Sequence, residues 1–331
     1  MKLDLSESPD ILKRFLNYLL GIKGYSINTV KAYNGNLIMF FKFINEYLNL
    51  NISIMKFNAL ILFQVKKSDV IAFLVYCGFS RDNNADTRQC KLAAIRSFYD
   101  WLISNTPRGY TQENPTREIP NIEKIERIPR HLSLEQAKKI QEIFTLKNSR
   151  FPIRNNAIIS TFLSTGARAF ELINANLKDV NLKNNTLTVI GKGNKERTLY
   201  LNKTCKEKLS KYIEQRNRNK KIVSLNEPLF LNKNGSRIGI DCVENICEKA
   251  YELMGLSKCG YTTHTLRHTA ASMIYIYVTQ DILVLKEFLG HKSISTTQIY
   301  THIYNEHIKE AVDKNPLNNF EKITNREEEV A

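Results

Sequence analysis

The stretch T-T-H-T-L-R-H-T-A-A-S, residues 262–272, is followed by L-G-H at 289–291 and Y-T-H at 300–302. The chain has 6 histidines, and five of them (His264, His268, His291, His302 and His307) lie in this C-terminal part. Helical spacing over 263–277 puts His264 and Arg267 on one face, so both can approach one ligand. Tyr300 follows His291 by nine residues. A cation, two imidazoles and a phenol are the groups needed to hold a phosphodiester and attack it. His264 and His268, one helical turn apart, also have zinc spacing. The glutamate of an H-E-x-x-H site is replaced by Thr265, however, and no metal is expected. Gly290 ends the helix over 281–289, where His291 can meet the last carbonyls.

Working upstream, S-T-G-A-R-A-F-E-L at 164–172 breaks a helix at Thr165-Gly166 and starts another. Arg168 at that start can clamp two phosphate oxygens, with Glu171 one turn later to fix it. T-L-T-V-I (186–190) and E-R-T-L-Y-L (196–201) are the clearest strand signals, joined by G-K-G-N-K. They predict a β-hairpin with Lys192 in its turn and Lys195 three residues on. A shorter hairpin or turn is expected over 229–239, with Asn234-Gly235 at its tip. Helices are expected over 133–144, 153–164, 203–218 and 241–254 as well, the first opened by a capping box of Ser133 and Gln136.

The N-terminal half shows helical periodicity over 10–22, 26–48, 68–77 and 87–102, with caps expected at Ser26, Ser68 and Asp86 or Thr87. Gly24 and Gly78 mark stops. This half predicts a bundle of about four or five helices. Lys31, Arg88, Lys91 and Arg96 are its candidates for contact with a phosphate backbone. From 105 to 131 the periodicity fails, and four of the chain's 8 prolines fall there. The predicted division is therefore a helical domain over 1–115, an extended linker over 116–132 and a second, α-rich domain over 133–331.

Composition agrees with a two-domain globular protein. The 331 residues carry 48 Lys+Arg against 33 Asp+Glu, a net charge of +15, with a pI near 9.4. Such a surplus points to a polyanionic partner, above all nucleic acid. The six cysteines form no C-x-x-C pair, which suits reduced thiols rather than a disulfide framework. The start lacks the apolar core of a signal peptide, and the apolar runs at 37–41 and 59–63 are too short to span a bilayer. A cytoplasmic, soluble protein is expected.

In order and spacing, S-T-G-A-R-A-F-E-L, V-I-G-K-G-N-K-E-R, H-T-L-R-H-T-A-A-S and L-G-H-K-S-I-S-T-T-Q-I-Y-T-H resemble the catalytic domain of the tyrosine recombinases, and above all their bacterial Xer branch. The resemblance spans about 133–312, and the N-terminal half is more weakly similar to that family's core-binding domain. It implies a mainly α fold in which the helical bundle and the catalytic domain, with its small antiparallel sheet, form a C-shaped clamp on DNA. It also implies that Arg168 and Arg267 bind the scissile phosphate and that Lys192, rather than Lys195, is the general acid. His264 would assist proton transfer, His291 would hydrogen-bond the phosphate, and Tyr300 would attack to give a 3′-phosphotyrosine. The stored bond energy makes ATP, metal and other cofactors unnecessary.

The implied partners are double-stranded recombination sites, recombinase subunits in a homo- or hetero-tetramer, and an accessory DNA translocase. The segment around Ile308, Ala311 and Val312 resembles a tail that docks on a neighbouring subunit, and its spacing fits packing in cis equally well. The role expected is resolution of chromosome dimers in chromosome partition and cell division; the alternative is integration and excision of a phage or transposon. A DNA-binding protein without chemistry would have lost a motif residue, and none is missing. A type IB topoisomerase, with similar chemistry, would differ in motif wording and size.

Overall fold

Successive apolar faces along residues 10–104 fold into five helices: α1 (Asp10–Gly21), α2 (Ile27–Tyr47), α3 (Ala59–Leu62), α4 (Lys67–Phe79) and α5 (Ala85–Ser104). The structure is a computed structural model that describes residues 4–106, 113–123, 129–191, 195–218, 222–291, 293–304 and 312. It divides into two units, Met1–Glu126 and Arg127–Ala331. In the first, Leu12, Phe15, Leu16 and Leu19 form the buried face of α1. Phe15 meets Phe98 of α5 edge-on with ring centroids 5.3 Å apart, and Phe41 of α2 meets Phe98 at 5.5 Å. Burial of each such ring is worth roughly 1.5–3 kcal/mol.

Local chemistry sets the helix starts. Ser26 Oγ accepts from the Thr29 amide at 3.1 Å and caps α2 as expected. The cap of α4 differs from expectation. Ser68 lies inside the first turn, and it is Asp69 whose carboxylate accepts from the Lys66 amide at 2.8 Å. Likewise α5 opens at Asn84, whose side chain accepts from the Thr87 amide at 2.9 Å, rather than at Asp86 or Thr87. Gly78 does not stop α4, which runs on to Phe79.

The proline-rich segment is only partly a linker. Thr116 is fully buried, and Ile119 (7% exposed) belongs to the first unit's core. Arg96, a candidate for DNA contact, instead donates to the Ile119 carbonyl at 2.7 Å and to Asn121 Oδ1 at 3.2 Å. Lys91 is also placed differently from expectation: it is 5% exposed, because it lies one turn before Ile95 on the buried face of α5. Lys31 and Arg88 are half-buried.

The second unit opens with the capping box of α6 (Leu134–Ile140): Gln136 N donates to Ser133 Oγ at 3.2 Å and Ser133 N to Gln136 Oε1 at 3.0 Å. This helix stops four residues short of the expected end. Next come α7 (Pro152–Thr165) and α8 (Ala169–Asn174), then β1 (Val180–Asn181), β2 (Thr186–Ile190) and β3 (Glu196–Tyr200). The sheet is antiparallel in the order β1-β2-β3, and Ile190 pairs with Glu196 at the neck of the predicted hairpin. β1 is two residues long, too short to show an alternation in sequence. The shorter hairpin is a Leu231–Arg237 bridge around Gly235.

Helices α9 (Lys203–Asn217), α10 (Ile240–Leu253), α11 (Thr263–Tyr277) and α12 (Ile282–Leu289) complete the unit. Its core centres on α7, whose Ile158, Ile159 and Phe162 are fully buried and which packs against α9 and α11. Short 3₁₀ turns over Ile294–Thr296 and Gln298–Tyr304 follow α12. The fold is mainly helical with one small antiparallel sheet. Among the described residues no helix is long and apolar enough to cross a membrane. All six cysteines are free thiols.

Candidate active site

Gly166 ends α7 in the left-handed conformation (φ +58°), a turn that glycine adopts without strain. The turn delivers Arg168 to the N-cap of α8. There its amide donates to Glu171 Oε2 at 2.8 Å, while its guanidinium donates to Oε1 at 3.0 Å. Glu171 is 3% exposed. It also accepts from a residue that sequence reasoning passed over: Arg197 on β3 donates through Nε at 3.3 Å and NH2 at 2.8 Å. The third bond of Arg197 goes to the Phe288 carbonyl at the end of α12 (3.1 Å). Burial alone would raise the Glu171 pKa. The hydrogen bonds and charges of Arg197 and Arg168 outweigh it and hold the carboxyl below its usual value.

Arg267, on the buried face of α11, donates to the carbonyls of Gly166 and, at 2.6 Å, Leu289. The ends of α7 and α12 thus meet on its guanidinium. Burial, followed by repulsion from Arg168 and Arg197, lowers its pKa to about 10. It remains a cation at neutral pH, already oriented and poorly hydrated.

Tyr300 is 1% exposed, within a small core formed with Ala271, Tyr275, Leu285 and Leu289. Burial raises its phenol to about 12, with Arg267 pulling the other way. Its oxygen lies 2.7 Å from Nδ1 of His268. Burial, with His264, Arg267 and His131 nearby, lowers the His268 pKa to about 4, so the imidazole is neutral and can accept the phenolic proton. His291 Nδ1 is 3.0 Å from Thr297 Oγ1. Its pKa also falls to about 4, through burial and then the three arginines. His264 is exposed overall. Partial desolvation, with Arg267 and Arg168 close by, still lowers its pKa.

A cavity of about 820 Å³ opens beside this cluster, lined in part by Arg168, Phe170, Glu171, Ile190, Gly191 and His264. Lys192 lies outside the described residues. Its neighbour Gly191 donates to the Lys195 carbonyl at 2.8 Å and packs against Glu171, so the hairpin neck adjoins the cluster. Lys195 is exposed. The segment around Ile308 and Ala311 also lies outside the described residues. The structure therefore gathers Arg168, Glu171, His264, Arg267, His291 and Tyr300 and adds Arg197 and His268.

The chain matches the phage integrase family over residues 131–307 and the phage integrase N-terminal SAM-like domain over residues 12–106. It therefore belongs to the phage integrase family, the tyrosine recombinases, which break and rejoin DNA. Within that family it is a Xer-type site-specific recombinase. It is 38% identical to the tyrosine recombinase XerC of Caldanaerobacter subterraneus subsp. tengcongensis, over 93% of this chain and 87% of that one. Identity to XerC of Thermodesulfovibrio yellowstonii is 35%, over 92% and 95% of the two chains. In fold it is similar to the XerH recombinase bound to a palindromic difH substrate in a post-cleavage complex. That match has a TM-score of 0.67 and 21% identity, covering 94% of this chain and 91% of the other.

Proposed function

We propose that Tyr300 is the nucleophile of this recombinase and that strand exchange proceeds through a 3′-phosphotyrosine. The observation that carries this reading is the contact of the Tyr300 oxygen with an imidazole at 2.7 Å, within a cluster of three arginines. A free tyrosine has a pKa near ~10, so about one phenol in a thousand is ionised at neutral pH. Attack therefore needs a proton acceptor and neighbouring cations. Arg168 and Arg267 hold the non-bridging phosphate oxygens, where charge builds up during attack. One such donor is typically worth about 10²–10³ in rate. Glu171 fixes Arg168, and His291 hydrogen-bonds the phosphate. Lys192 protonates the leaving 5′-oxygen, and His264 assists proton transfer at the exposed side of the cluster.

The basic surface, with Lys31 and Arg88 among its candidates, binds double-stranded recombination sites. Subunits act as multimers, a tetramer on two sites, with an accessory translocase as regulator. Tail docking, in cis or in trans, falls on the segment around Ile308. The biological role proposed is resolution of chromosome dimers. It is supported by likeness to XerC and XerD chains over most of their length.

The test incubates fragmented host genomic DNA with wild type and Tyr300→Phe, denatures in SDS and sequences DNA that stays covalently attached. One short inverted-repeat site, lost with Tyr300→Phe, is the expected result. A site near the replication terminus fits dimer resolution, and one beside the protein's own gene fits a mobile element. Equal trapping by Tyr300→Phe overturns the assignment of the nucleophile.

A further inference from the structure

We propose that His268 is a catalytic residue: its Nδ1 takes the proton of Tyr300 as the phenol oxygen attacks the phosphate. The inference rests on the reading of Tyr300 as nucleophile and assigns the base to a residue outside the arginine-lysine-histidine set matched by motif. The observation is geometric. Of the histidines in the cluster, His268 is the one whose ring nitrogen reaches the reacting oxygen, at 2.7 Å, with ring centroids 5.7 Å apart. His291 is instead directed to Thr297 at 3.0 Å.

Tyr300 is buried in the free protein, so the segment carrying it must shift for a phosphate to reach its oxygen. His268 does not travel with that segment. It is fixed in α11 next to Arg267, so a phenol brought to a phosphate on Arg267 is brought to the neighbourhood of His268 too.

The step balances. The bond from Tyr300 Oη to phosphorus forms, the bond from phosphorus to the 5′-oxygen breaks, and the phenolic proton moves to His268 Nδ1. The leaving 5′-oxygen takes its proton from a separate acid. In rejoining, the 5′-hydroxyl attacks, the phenolate leaves and His268 returns the proton. The groups facing His268 favour a neutral ring: His264 and Arg267 from α11, His131 ahead of α6, and His291 after α12. A protonated imidazole formed in their company gives its proton back readily.

The experiment compares wild type, His268→Asn and Tyr300→Phe in single-turnover cleavage of the trapped site. Two DNAs are used, one ordinary and one with a bridging sulfur at the leaving 5′ position. Asparagine keeps an acceptor oxygen near the place of Nδ1 but takes no proton. His268→Asn is expected to bind DNA normally and cleave about 10²-fold more slowly at neutral pH, within the usual range for a general base. The deficit should persist on the sulfur substrate, whose thiolate needs no acid, and should shrink as pH rises and hydroxide replaces the base. Wild-type cleavage by His268→Asn, or full rescue by the sulfur substrate, overturns the inference while leaving Tyr300 in place. Covalent trapping by Tyr300→Phe overturns the reading beneath it.

A second measurement does not depend on how the variant folds. In wild-type protein carrying ¹⁵N-labelled histidine, Nδ1 of His268 must be unprotonated and must shift in Tyr300→Phe. A proton resident on Nδ1 refutes the proposal.

Discussion

Arg197 and Glu171 meet through two parallel hydrogen bonds, Nε to Oε1 at 3.3 Å and NH2 to Oε2 at 2.8 Å. The pair joins β3 to α8, and through the Phe288 carbonyl it also reaches the end of α12. Removal of Arg197 leaves Glu171, a nearly buried carboxylate, with Arg168 as its remaining charged partner.

Arg197→Ala is therefore expected to destabilise the second unit. The loss should fall toward the lower end of the ~3–5 kcal/mol seen when a buried pair is broken, because Arg168 still serves Glu171. Cleavage should fall as well, since Glu171 then holds Arg168 alone. Arg197→Lys keeps the charge without the fork and should recover only part of either loss. Chemical denaturation and covalent trapping on one DNA site measure the two effects.

Glu171 gives the catalytic unit an acid-sensitive component of stability. Its folded pKa is depressed below 4.5. Its contribution is present above the unfolded value and is lost as pH falls through the folded one. Glu171→Gln should be less stable than wild type at neutral pH, and the gap should narrow under acid. Equal denaturation midpoints at pH 7 would contradict this.

His268 and His291 act in the same direction through a different window. Both are held near 4, against an ordinary 6.5. Between those values the unfolded chain binds protons that the folded chain refuses, so stability falls as pH drops from about 6.5 and levels off near 4. His291→Asn removes one of the two groups and should flatten this slope. Urea midpoints taken across pH 4–7 report it.

Gly290 combines φ +61° with a close approach: an added Cβ would lie 2.8 Å from Arg197 NH1. Gly290→Ala is expected to cost about 1–2 kcal/mol for the left-handed backbone alone. It should also displace Arg197 and lower cleavage more than the stability loss explains. A variant with full activity would show that Arg197 has room to move.

Arg96→Ala and Lys91→Ala separate structure from DNA contact in the first unit. Arg96 is bonded to Ile119 and Asn121, and Lys91 is 5% exposed. Both changes should lower the unfolding temperature while leaving the slope of log affinity against log salt unaltered. Loss of a phosphate contact would reduce that slope by about one.

Ser26 and Ser133 are legible as helix starts because a cap is decided within four residues. Ser68 misleads for the same reason: Asp69 stands beside it, and an ionised carboxylate is the stronger acceptor. The hairpin follows from two β-rich runs around G-K-G-N-K. What the sequence hides is pairing between distant segments. Arg197 is in plain view within N-K-E-R, but strand register and the end of α12 decide that it grips Glu171 and Phe288. His268 shows helical spacing to His264 and so suggests zinc, while its partner, Tyr300, lies 32 residues away and reaches it only through the fold. Arg96 reads as a surface charge until the proline-rich segment folds back over α5, and Lys91 until packing decides which face of α5 is buried.

The convergence of Arg168, Arg197 and Arg267 has a consequence for the empty enzyme. Arg168 and Arg197 share one carboxylate, Arg267 rests on two carbonyls, and repulsion from the other two adds to burial in depressing the Arg267 pKa. The free protein carries this repulsion, and a phosphodiester bound between the arginines, as proposed, would relieve it. Folding and occupancy would then be linked, and a subunit seated on DNA is expected to be a sturdier molecule than one in transit. Sulfate or phosphate in the buffer should do part of the same work, raising the melting temperature as their concentration rises.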